Sequence, residues 1–180
     1  MPLTRIKSLG ITDGTIAAAD LATGVGGKLL QVVSTTKTDT TSTTSSTFSD
    51  ITGLSVSITP SSTSNKIYVT AFIVGGSRGE FSHVGLRLMR NSTAICVGTE
   101  ATGNRTNATA MIYDIDSNNT ESATIAFLDS PASTSATTYK IQFKSSDNSS
   151  AVYLNKPYNN TDLSYITYCA STITAIEIAG

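Results

Sequence analysis

The sequence predicts an all-β fold: an antiparallel β-sandwich, jelly-roll-like, behind an extended N-terminal arm. Three observations carry this. From Lys28 onward, apolar residues alternate with polar ones at period two, in short runs punctuated by Gly, Pro, Asn and Ser at the spacing of sandwiches and barrels. No run in that region reads as a helix. Serine and threonine make up roughly 30% of the chain and charged residues only 14%, with the hydroxyl residues interleaved among Val, Ile, Leu, Phe and Tyr, as on the solvent faces of strands. The 180 residues suffice for one domain with a core, 28–180, preceded by an arm, 1–27.

The arm differs from the rest. Its aliphatics Leu3, Ile6, Leu9, Ile11, Ile16 and Leu21 stand singly among turn formers and end in the glycine cluster Gly24 to Gly27, which reads as a hinge. One such chain buries too little apolar surface to fold alone. It suits wrapping with other copies or lying in a groove of another protein. A short helix over Thr15–Ala22, capped by Asp13, is possible within it.

The first strand is expected at Leu29–Val33, followed by an extended edge strand through the Thr/Ser tract Ser34 to Thr47, rich in β-branched threonine and free of Pro and Gly. Leu54, Val56 and Ile58 then alternate with Ser55, Ser57 and Thr59, so one face is buried and the other wet. In Lys66–Val74 both alternate sets are apolar, as in a strand covered on both sides, which marks it as the centre of the fold. Further strands are expected at Val84–Met89, Ala94–Gly98, Ala108–Tyr113, Ala123–Leu128, Tyr139–Lys144, Ala151–Leu154, Leu163–Cys169 and Thr172–Ile178. About ten strands without a helix point to two packed antiparallel sheets. An immunoglobulin-like sandwich is the second choice, weakened by the absence of tryptophan. Of the aromatics, Tyr68, Phe72, Phe127, Tyr139 and Phe143 lie in alternating strands and are assigned to the core, and Cys96 and Cys169 are read as buried thiols.

A net charge of −1 and a pI near 5.7 offer no footprint for nucleic acid or an anionic membrane. No apolar run approaches a membrane span and the N-terminus has no signal-peptide pattern, so synthesis in the cytoplasm is expected. Chemistry is scarce. The single histidine, His83, rules out a two-histidine metal site, and no GxSxG elbow surrounds any serine. Asp114 and Asp116 in YDIDSNNTE have the spacing of calcium ligands, but the glycine and glutamate of an EF-hand loop are missing in that frame, so an exposed turn is the better reading. No carboxylate pair is marked for glycoside hydrolysis. No cofactor, metal site or catalytic residue is expected. The sequons at Asn91, Asn104, Asn107, Asn118, Asn148 and Asn159 follow from abundant Asn, Ser and Thr. The one ligand-binding candidate is the connection rich in Tyr, Asn and Asp that holds Tyr153, Tyr158, Asn159, Asn160 and Asp162, with Tyr165 and Tyr168 nearby; tyrosine beside Asn and Asp suits sugar or protein contacts, and a subunit interface or a hydrogen-bonded loop is the alternative.

The stretch GGKLLQVVSTTKTDTTSTTSSTFSDITGLSVSITPSSTSNKIYVTAFI resembles a module of tail-fibre-like and other virion structural proteins of bacteriophages, notably phages of cyanobacteria and marine bacteria. The ending ASTITAIEIAG looks like that module's closing strand, and MRNSTAI resembles its central R-x-x-T-x-I hairpin. The resemblance covers Gly27 to Gly180, and ITDGTIAAADLA is similar to linkers that precede fibre heads. It implies a homotrimeric β-sandwich head on a thin arm that attaches to the capsid or tail of the particle, with a host-surface glycan or protein as a possible further partner. The chain departs from a long fibre in having no shaft between arm and head, so a head fibre, a capsid decoration or a short tail adaptor fits as well as a receptor-binding fibre.

Overall fold

The computed structural model describes residues 28–78, 82–113, 116–146 and 149–180. The arm, with its six aliphatics and the helix considered at Thr15–Ala22, lies outside them, as does Asp114. Among the described residues there are eleven strands: β1 (Leu29–Lys37), β2 (Thr41–Thr43), β3 (Ser49–Ile58), β4 (Lys66–Gly76), β5 (His83–Arg90), β6 (Thr93–Ile95), β7 (Ala110–Tyr113), β8 (Glu121–Asp129), β9 (Thr137–Ser145), β10 (Val152–Leu154) and β11 (Ser171–Ile178). Among the described residues no helix is long and apolar enough to cross a membrane.

All pairings are antiparallel. In the first sheet β11 lies between β1 and β4, and β8 lies on the far side of β4. β10 continues the line of β11 along the end of β4, at Gly75 and Gly76, and β2 continues the line of β1. The second sheet runs β3, β9, β5, with β7 beside the first half of β5 and β6 beside the second. Counting each interrupted line as one strand, there are two four-stranded sheets, and nearly every connection crosses from one to the other. That is the jelly-roll arrangement the sequence predicts.

Alternation explains the core. Ile67, Val69, Ala71 and Ile73 of β4, Ile125 of β8 and Ile173 and Ala175 of β11 face Leu54, Val56 and Ile58 of β3, Val84, Leu86 and Leu88 of β5 and Tyr139, Ile141 and Phe143 of β9, all buried. Ile51 joins them although it stands an odd number of residues from Leu54. The cause is a bulge: the β3–β9 register shifts between Asp50 and Ser55, and Gly53, with φ of 83°, takes up the extra residue in a left-handed conformation. The hairpin in MRNSTAI forms as expected, with Arg90 opposite Thr93 and Asn91 at φ 52° in the two-residue turn.

Two polar clusters tie down the edges of the core. Arg90 Nη1 donates to both carboxylate oxygens of buried Asp129, at 2.9 and 3.0 Å, and the hydroxyl of fully buried Tyr139 donates to the same carboxylate at 2.6 Å. The cluster joins β5 and β9 of one sheet to β8 of the other. Burial and the Asp129 carboxylate hold the Tyr139 phenol well above its usual range. Glu177, 1% exposed, accepts hydrogen bonds from Gln31 Nε2, from the amide and hydroxyl of Ser61, and from Asn65 Nδ2. Burial raises this carboxyl, but the four donors outweigh it and bring it down to about 2.

Several expectations are corrected. Ser34 to Thr47 is not one strand: β1 and β2 are separate edge strands, each paired on one side only, split by the loop in which Asp39 binds buried Lys37. Leu163–Cys169 is not a strand but part of a loop, because its backbone bonds locally, as in Ile166 N to Leu163 O. β4 is central in its sheet, but its outer face is covered only at its end, where Val74 is buried: Tyr68 and Thr70 are half-buried and Phe72 is exposed. Of the five aromatics assigned to the core, Tyr139 and Phe143 are fully inside and Phe127 packs against it, while Tyr68 and Phe72 point outward because they occupy the even positions of β4. Neither cysteine is buried. Cys96 is exposed at φ 53° just after β6, and Cys169 is half-buried at the base of the loop before β11.

Candidate functional site

The predicted ligand loop runs from the end of β10 to the start of β11, and its geometry begins at Asn155. This residue is fully buried at φ 64°, a left-handed conformation that Asn tolerates better than most side chains. Its amide donates to Val74 O and its carbonyl accepts from Cys169 N. Its side-chain Nδ2 donates to the carbonyls of Lys37 and Asp39 at 2.8 and 2.9 Å, and its Oδ1 accepts from Ser171 Oγ at 2.6 Å. Ser171 Oγ in turn accepts from Val74 N at 3.0 Å. The Asn155 to Cys169 bond closes the segment into a compact surface loop of the Ω type. Sequence reasoning missed Asn155, since its partners come from β1, β4 and β11 and nothing local marks it.

The first half of the loop lies flat on β4. A Cβ on Gly76 would sit 2.5 Å from Lys156 O and 2.7 Å from Pro157 Cα, so only glycine lets the loop approach this closely. Tyr153 and Tyr158 meet edge to face with ring centroids 5.8 Å apart, and Lys156 Nζ lies 4.0 Å from the Tyr153 centroid. Burial lowers the Lys156 ammonium from its ordinary value. Asn159 bonds across to the β7–β8 connection: its amide donates to Ser117 O, and Nδ2 to Ser117 Oγ and Asn118 Oδ1. Tyr153, Tyr158 and Asn159 therefore hold the loop in place.

The second half is open. Asn160, Asp162, Leu163, Tyr165 and Tyr168 are exposed. Asn160, Thr161, Asp162, Leu163, Ile166 and Tyr168 line a polar recess of about 270 Å³, and the Tyr168 hydroxyl donates to Asn160 Oδ1. The structure thus divides the five predicted site residues, leaving Asn160 and Asp162 available beside Tyr165 and Tyr168. A carboxylate, an amide and one aromatic ring around a polar recess can hydrogen-bond and stack on a hydroxyl-rich ligand.

Other places offer less. His83 packs edge to face on Tyr113 at 4.8 Å, in a recess of about 180 Å³ with Lys144 and Met111, and its Nδ1 is buried without a hydrogen-bond partner among the described residues. Asp116 Oδ1 accepts from the amide and side chain of Asn118, as in an ordinary Asx turn. Among the described residues no group of three or more His, Cys, Asp or Glu side chains is placed to hold a metal ion.

No protein-family model matches the chain, and no curated protein matches it. Among solved structures it is similar to one described as "Structure of infectious bursal disease virus Gx strain", at 14% identity and a TM-score of 0.41, over 83% of this chain and 36% of that one. The chain thus spans about a third of that protein's length, and a likeness of this strength adds nothing to what the strand order already shows.

Proposed function

We propose that this protein is a structural component of a bacteriophage virion, a fibre-like appendage or decoration attached through residues 1–27 and displaying its β-sandwich head outward. The observation that carries the reading is the pairing of an aliphatic-studded N-terminal segment with a jelly-roll head in which buried Asp129, Tyr139, Asn155 and Ser171 are taken up in holding strands and loops together. The resemblance of Gly27 to Gly180 to virion modules supports it. On this reading the head is non-enzymatic and its partners are capsid or tail proteins. Deleting residues 1–26 is expected to abolish incorporation into particles while leaving the far-UV circular dichroism of the head intact. A truncated protein still found on purified particles would refute docking through the arm.

A second reading, a receptor- or carbohydrate-binding tip, is favoured by the recess beside Asp162 and Tyr168. Adsorption to host cells should then be blocked by the isolated protein and restored by Tyr168→Ala. Failure of the unaltered protein to bind either cells or a glycan array sinks this reading.

A further inference from the structure

The outer face of the first sheet is apolar along a continuous line. Val32 of β1 lies opposite Ile176 of β11, Ile176 opposite Tyr68 of β4, and Tyr68 opposite Leu128 of β8, so one row of apolar side chains crosses all four strands. Val32 is 58% exposed and Leu128 53%. Two rows further along, Phe72 stands between Thr172 and Thr124, itself 44% exposed, with Thr174, Thr70 and Ala126 in the row between. The single charge among the outward residues of β4 is Lys66, at its end, where Nζ donates to Ser130 Oγ.

We propose that this face is an interface between copies of this chain. Three observations specify a second copy as the occupant. First, β4 carries apolar residues on both of its alternate sets, the pattern of a strand buried on both sides, yet in one copy Val74 is the only side chain of the outer set that is buried, and Tyr68 and Phe72 are left open. Second, the exposed row has no charge, so it meets its own copy without like-charge opposition and offers an oppositely charged partner nothing to pair with. Third, Lys28 stands at one end of this face, where its carbonyl accepts from Ala179 N beside exposed Leu29 and Leu30. Residue 27 is joined to the chain at this end, so copies meeting on this face bring those attachment points together. The size is of the right order: four strands of about eight residues present roughly 19 by 27 Å, about 500 Å² in plan, against the about 800 Å² of accessible surface that each partner contributes to a standard stable complex.

The inference rests on the virion reading only for the use of the assembly, display of several heads from one attachment point. Its test is sedimentation velocity on the full chain across a micromolar concentration series, comparing the unaltered protein with Val32→Lys and Leu128→Lys, and with Ser57→Lys on the opposite outer face as a control. Val32, Leu128 and Ser57 are all exposed, so each variant should keep the parent's far-UV circular dichroism. The unaltered protein and Ser57→Lys are expected as oligomers. Val32→Lys and Leu128→Lys should each weaken association by roughly 30-fold or more, moving the mass toward the 18.8 kDa of one chain. An unaltered protein that sediments as a single chain would overturn the proposal, as would face variants that associate as well as the parent, or a control that dissociates as they do. Mass spectrometry of purified particles keeps the two readings apart. A single-chain protein present in particles defeats this interface alone, and an oligomer absent from particles defeats the virion reading alone.

Discussion

The two outer faces of the sandwich come from the same period-two alternation, yet they differ in chemistry. On the β3–β9–β5 side, Asp50 lies opposite Gln142 and Gln142 opposite Arg87, so a charged and polar row crosses three strands. Lys140 Nζ and Gln142 Nε2 both donate to Asp50, at 2.6 and 2.8 Å, and the hydrogen bond from Lys140 is the main cause that lowers the Asp50 carboxyl. Arg87 lies 3.9 Å from the Phe48 ring centroid. On the β1–β11–β4–β8 side the equivalent row is Val32, Ile176, Tyr68 and Leu128. One face is thus finished for water and the other is not. The lesson is that alternation sorts residues onto a face, while the residue types on that face say whether anything is meant to cover it.

This contrast can be broken or sharpened by substitution. The largest effect is expected at Leu86, fully buried between the sheets. Leu86→Ala should cost about 3 kcal/mol. The chain has no tryptophan, so far-UV circular dichroism during urea unfolding is the readout, and a single transition is expected because both faces share one core. Two separated transitions would show that the faces belong to independent units. Asn155→Ala should cost about 2 kcal/mol, since it strands Ser171 Oγ and two carbonyls and puts alanine at a left-handed φ. Hydrogen exchange should then speed up in the loop and at the end of β4 more than anywhere on the charged face.

Glu177 gives a pH-dependent effect at the edge of the core. Its carboxyl is depressed from 4.5 to about 2 in the folded chain, so its contribution is present above pH 4.5 and is lost as pH falls toward 2. The stability difference between the unaltered protein and Glu177→Gln should shrink across that window; a difference independent of pH would contradict the assignment. The smallest change is expected at Lys140. Lys140→Ala breaks an ion pair open to solvent and should shift stability by only about 0.3 kcal/mol.

Much of the fold is legible in the sequence. Leu54, Val56 and Ile58, or Tyr139, Ile141 and Phe143, declare their strands and their buried side, since the alternation is a property of neighbouring residues. The errors share a cause. Tyr68 and Phe72 read as core because an apolar even set looks the same whether another sheet, another chain or water covers it. Leu163–Cys169 reads as a strand because Tyr165, Ile166 and Tyr168 have strand-like chemistry, while its actual conformation is imposed by closure at Asn155 and Cys169. Of the candidate loop, the sequence marks the residue types but not their division. Tyr153, Tyr158 and Asn159 are occupied by partners at Lys156, Ser117 and Asn118, and only Asn160 and Asp162 remain open to the recess.

Local pattern alone was enough to settle the all-β class, most strand positions and the pairing of apolar with polar faces, because side chains alternate along any extended backbone whatever surrounds it. The tertiary structure decided which strands became neighbours, where the Gly53 bulge shifts the register, and how Arg90, Asp129 and Tyr139 meet across the two sheets. It also decided that one outer face would be left apolar. Those outcomes depend on pairings between residues up to 149 positions apart, such as Leu29 with Ile178, and nothing in either residue's own neighbourhood encodes its partner.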